Sequence, residues 1–150
     1  MIKSISPFPV PAKLPSGLME ARNYWQHLKR RQNGMPFWDD VNVASLPKLA
    51  DHLMLVDVFQ DPQRFRFNSV GQHIRKRYGA DLVHKFVDEI DAKAPLDYFT
   101  SQSSATIEGE VPTYYRSTRR GAGYQRLLLP MWGNGRIEMM LGAVVSLTNT

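Results

Sequence analysis

The sequence predicts an α+β domain organised on one antiparallel sheet of five strands, and three observations carry that prediction. A hairpin is written into residues 53–70. Residues 53–59 are apolar except for Asp57, residues 64–70 alternate Phe65 and Phe67 with Arg64, Arg66 and Asn68, and Asp61-Pro62 between them is a turn signal. The last third holds three more strand-like runs, at 112–119, 124–132 and 136–147. They are separated by Arg119-Arg120-Gly121-Ala122-Gly123 and by Gly133-Asn134-Gly135, which contains the strongest short hairpin signal a sequence can carry. Between hairpin and meander the apolar residues take a helical period instead. From Ile137 on, the final run has Glu138 as its one charge, which places it at the sheet centre.

Residues 1–15 contain Pro7, Pro9, Pro11 and Pro15 and few packing residues, so an extended segment is expected. Ser16 reads as an N-cap and Gly34 as the stop of a first helix, giving an N-terminal extension and helix over 1–34 and the main domain over 35–150. Leu18, Ala21, Trp25 and Leu28 make one apolar stripe on that helix. The stripe suits either the domain's own sheet or the same helix of a second copy, and the large Trp25 ring, a costly exposed patch on a monomer, favours a homodimer through this helix. Pro36, Pro47 and Asp39-Asp40 leave room for one short helix within 43–52. After the hairpin, Gly71 turns the chain into a helix with Ile74 and Tyr78 inward and Arg75, Lys76 and Arg77 toward solvent. Residues 80–93 look irregular, anchored by Val83 and Phe86; Pro95 then opens a helix to about Gly109 with Leu96, Phe99 and Ile107 inward.

Composition narrows the function classes. A chain of 150 residues with 43% hydrophobic and 22% charged residues suits one globular domain. The absence of cysteine excludes disulfides, thiolate zinc sites and a cysteine nucleophile. No secretory signal and no run long enough to span a membrane is evident, so the expected location is cytoplasmic. The net charge of +5 is dispersed over Lys29-Arg30-Arg31, Arg75-Lys76-Arg77 and Arg119-Arg120, the pattern of separate solvated faces more than of a nucleic-acid surface.

The element order, with its local phrases, resembles a PAS domain of a proteobacterial subfamily of short stand-alone proteins. The phrases are Tyr24-Trp25 with Lys29-Arg30-Arg31, Met35-Pro36, Leu46-Pro47, His52-Leu53 through Val56-Asp57-Val58, Phe65-Arg66-Phe67, Val70-Gly71, Gly79-Ala80-Asp81-Leu82 and Leu127-Leu128-Leu129-Pro130. The likeness spans about residues 18–147. It implies a curved sheet in spatial order 2-1-5-4-3 with helices across one face enclosing a pocket. It also implies a non-catalytic sensory or regulatory role in bacterial signal transduction, through a small ligand, a partner such as a signalling kinase or regulator, or both. Fold alone does not settle which. Since no output segment accompanies the domain, its signal is expected to pass through another protein. On this reading the ligand lies between sheet and helices. Phe67, Leu127, Met139 and Leu141 line the sheet side, Ile74, Tyr78, Phe86 and Phe99 the helical side, and His73 and Tyr115 serve as polar handles.

The identity of a cofactor stays open. Light-sensing relatives bind flavin through a cysteine, which this chain lacks. Haem-binding relatives use one histidine, for which His73 or His84 would qualify, but an ordinary hydrogen-bonded histidine outweighs that role. His27, His52, His73 and His84 show no metal-ligand spacing. Asp57 suits a raised-pKa general base in a small cone-shaped enzyme, or a structural partner of an arginine such as Arg66; the structural role is the simpler. A pure interaction module with a filled core is the alternative to a sensor.

Overall fold

The structure, a computed structural model, describes residues 7–30 and 34–147. Residues 1–6 of the proline-rich extension and Arg31 of the first basic cluster lie outside the described residues. The elements in chain order are α1 (Ser16–His27), β1 (Leu53–Phe59), β2 (Arg64–Val70), α2 (Gln72–Tyr78), α3 (Phe99–Gly109), β3 (Thr113–Ser117), β4 (Tyr124–Gly133) and β5 (Arg136–Ser146). The five strands form one antiparallel sheet in order β2-β1-β5-β4-β3, with β5 in the middle as expected. The β4–β5 hairpin turns on Asn134 and Gly135 at φ 49° and 78°, so the Asn-Gly signal marks a turn that needs two left-handed residues.

Register divides the sheet into two faces. Leu55 pairs with Leu141, Asp57 with Met139, and Leu141 with Leu129, so these side chains share one face with Leu127 and Met131. Val56 pairs with Met140 and with Phe67, and Tyr115 with Arg126, so these residues share the other. The second face carries α3, because the side chains of Gln102 and Arg126 meet there. The first face carries α1, which packs on β5 and β4. Gly17 permits that close approach, since a Cβ there would sit 3.1 Å from Val145 Cγ1 and 3.3 Å from Leu49 Cδ1.

Several boundaries differ from the sequence reading for identifiable reasons. Ser16 is the first helical residue, not the cap: Pro15 stands at the N-cap and its carbonyl accepts from Met19 N–H. The helix stops at His27, well before Gly34, and Lys29 turns back to place its ammonium 4.3 Å from the Trp25 ring centroid. Trp25 is only 2% exposed and its indole N–H donates to the Pro130 carbonyl at 2.8 Å. Own-sheet packing therefore takes Leu18, Ala21 and Trp25, with Leu28 half-buried, and the ground for a homodimer through an exposed Trp25 is removed. Residues 43–52 form two single 3-10 turns at Val43–Ser45 and Ala50–His52 rather than one helix. The third helix begins at Phe99, not Pro95, because Tyr98 adopts a left-handed conformation at φ 55° while Arg126 holds the carbonyls of Pro95 and Asp97. Leu96 and Phe99 are buried as expected, but the rest of the helix's inward side is polar, with Gln102, Ser103 and Thr106 buried and Ile107 only half-buried.

Candidate binding site

The space between the sheet and α3 is taken up by an arginine. Arg126 projects from near the start of β4 and is fully buried. Its Nε donates to Gln102 Oε1 at 2.7 Å, Nη1 to the Pro95 carbonyl at 2.9 Å and Nη2 to the Asp97 carbonyl at 2.7 Å. The guanidinium lies 5.0 Å from the Phe99 ring and 4.9 Å from the Tyr115 ring. Burial holds its pKa down to about 10, still high enough to keep it charged at neutral pH. Gln102 passes the network on by donating to Thr113 Oγ1 at 3.0 Å, and Thr106 and Thr113 hydroxyls lie 2.6 Å apart. Tyr124 donates to Asp97 Oδ2 at 2.8 Å, and burial pushes its hydroxyl pKa well above the usual value.

The structure brings together only part of the expected ligand set. Phe67 and Phe99 pack at 5.7 Å on the α3 face, and Tyr115 joins them through Arg126. Ile74 and Tyr78 are buried on α2, and the Tyr78 hydroxyl donates to the Asp91 carbonyl at 2.8 Å. Leu127, Met139 and Leu141 project from the opposite face, one residue out of parity with Phe67 and Met140. Phe86 also leaves the set. Residues 84–86 pair along β2, with Phe67 N–H donating to the Lys85 carbonyl, and the Phe86 ring packs against Phe59 at 5.5 Å beneath Arg64.

His73 meets His52 instead of a ligand, with ring centroids 4.1 Å apart, and its buried Nε2 has no hydrogen-bond partner. Burial, then the neighbouring His52 and Arg77, depress the His73 pKa from the ordinary 6.5, with Asp51 opposing. A base with a depressed folded pKa takes up its proton more readily when unfolded. Its contribution is thus complete above about pH 6.5 and lost as the pH falls through the folded value. The melting temperature is expected to decline from pH 7 to pH 5, and His73→Gln to flatten that decline. An equal decline in the variant would contradict the assignment.

A concavity of about 440 Å³ opens on the other side of the sheet, over the half-buried residues Leu55, Asp57 and Phe59 of β1 and Arg66 of β2. Leu55, Phe59 and Met139 give it an apolar floor, and Trp38, 41% exposed, stands over it. Asp57 lies in the floor and accepts from Arg66 Nη2 at 3.0 Å and from Asn68 Nδ2 at 3.4 Å, which bears out its pairing with Arg66. Arg136 donates to the carbonyls of Val58 at 2.9 Å and Ile137 at 3.1 Å, and Glu138 accepts from Asn134 at 2.8 Å. Asp57, Arg66, Asn68, Arg136 and Glu138 are thereby held in place by the protein itself, and Asp39 adds a further carboxylate to the lining. Such a surface selects by shape and hydrogen bonding; the Asp57 carboxylate is committed to its two partners.

Of the residues proposed from sequence, Met139 lines this groove. Leu55, Trp38 and Arg136, which line this groove, and Arg126, which fills the opposite face, are not singled out by the sequence. A charged residue in the otherwise apolar 127–131 neighbourhood of β4 was the available signal for the last. No protein-family model matches this chain, and no curated protein matches it. Among the described residues no helix is long and apolar enough to cross a membrane.

Proposed function

We propose that the chain is a non-catalytic, PAS-type regulatory module that binds a small, partly apolar ligand in the groove over β1 and β2. It would relay occupancy to a signalling kinase or regulator. The single observation that carries this reading is the uneven cover of the sheet. Side chains fill the α3 face around Arg126, whereas on the opposite face α1 packs on β5 and β4 and Leu55, Asp57 and Phe59 of β1 are only half-buried. Over these residues lies a concavity of about 440 Å³ with an apolar floor and prearranged polar groups, a size and lining typical of small-molecule sites. The PAS resemblance supports the sensory role, and the Asp57–Arg66 pair argues for binding over acid–base chemistry.

Trp38 supplies the readout. A ligand seated beside it should change its fluorescence and raise the melting temperature, by mass action on the order of 3 kcal/mol at a hundredfold excess over Kd. In a metabolite screen, hits are expected to lose both effects in Leu55→Arg, which places a charge in the floor. Hits that act equally on the variant would refute the site. A screen without hits would favour the second reading, a pure interaction module, which the exposure of Trp38 also fits.

A further inference from the structure

We propose a second site, distinct from the groove, where the β3–β4 turn meets α2 and the end of β5: an anion site for a small ligand carrying two or more phosphate groups. A concavity of about 750 Å³ there is lined by Arg77, Arg119 and Arg120 together with Thr118, Ser146 and the backbone of 121–123. Its described lining contains three arginines and no carboxylate. Elsewhere among the described residues, Arg30 pairs with Asp40, Arg64 with Asp88 and Arg66 with Asp57, while the exposed Arg75 and Arg116 stand singly outside this concavity. The three arginines of this concavity have no such match.

Arg77 is the fixed member. Its guanidinium donates to the carbonyls of Ala122 and Gly123 and to Ser146 Oγ at 3.1 Å, which ties the turn to β5. It rests 5.2 Å from the Tyr124 ring centroid. Its charge is thus held at the floor with only neutral partners, while Arg119 and Arg120 stand exposed on the rim. Three cations around one opening repel each other, and an anion relieves that repulsion. Guanidinium groups bind phosphate oxygens in pairs, and the hydroxyls of Thr118 and Ser146 can donate to further oxygens. Three positive charges call for more than one negative charge on the ligand, which selects a di- or polyphosphate over a monocarboxylate. The volume lies in the range of small-molecule sites.

Titration calorimetry with pyrophosphate on the full chain tests this. The expected result is a single site that weakens as salt rises and loses at least tenfold in affinity in Arg119→Ala/Arg120→Ala. Those exposed side chains can be removed without disturbing the turn, where Arg119 contributes its carbonyl to Ala122 N–H. Arg75→Ala/Lys76→Ala removes the same charge from exposed α2 positions outside this concavity and is expected to change affinity less than twofold. Absence of pyrophosphate binding, or equal losses in both double variants, would overturn the site. A short oligonucleotide that displaced pyrophosphate at lower phosphate concentration would overturn the small-ligand assignment in favour of a nucleic-acid surface.

Discussion

Arg126→Ala is expected to destabilise the protein by about 3–5 kcal/mol, because three acceptors lose their buried donor and a cavity is left behind. The substitution removes the donor shared by Gln102 and the carbonyls of Pro95 and Asp97, and it empties space between the rings of Phe99 and Tyr115. The lost stability corresponds to a fall in Tm on the order of 10 °C for a chain of this size. Arg126→Met/Gln102→Leu should recover part of the loss, because two polar groups leave together and an apolar chain fills the space. Thermal and urea unfolding read both effects. A loss below about 1 kcal/mol for Arg126→Ala would show that solvent or another group occupies this space, contrary to the account.

Trp25→Ala should cost a comparable amount, about 3–5 kcal/mol, for a different reason. It opens a cavity between α1 and the sheet and leaves the Pro130 carbonyl without its indole donor. Trp25→Phe keeps most of the volume and loses the hydrogen bond, so a smaller penalty of about 1–3 kcal/mol is expected. The ratio of the two separates packing from hydrogen bonding. If Trp25→Ala left stability unchanged while altering the sedimentation behaviour, the helix would be serving a second copy of the chain instead of its own sheet.

Why one face of β4 was misassigned follows from what hydrophobic period measures. Leu127, Leu129 and Met131 alternate correctly in the sequence, and all three are buried. The more apolar parity suggests the side facing α2 and α3, yet α1 covers it. Period reports burial; it does not say which layer does the burying. The side facing α3 carries Arg126 and Thr113, and α3 itself turns Gln102, Ser103 and Thr106 inward. A buried polar network of that kind looks like solvent-exposed surface in a sequence. The Asn134-Gly135 turn and the Asp57–Arg66 pair were legible because each rests on local backbone geometry or on direct cross-strand neighbours, whereas the full strand order was implied only by the PAS resemblance. The start of α3 was not, since the carbonyls that end the loop at Tyr98 are held by a side chain 29 residues away in the case of Asp97.

Adjacent methionines give the most direct test of where the module binds. Met139 lines the groove over β1 and β2, while Met140 projects from the next position to the α3 face with Val56 and Phe67. In methyl-labelled protein, each can be assigned by its Met→Leu variant and followed by NMR during titration with the hits of a small-molecule screen. Binding in the groove predicts that the Met139 methyl shifts with ligand concentration while the Met140 methyl holds its position. A titration that moves Met140 and leaves Met139 unchanged would place the ligand between sheet and helices and contradict the account.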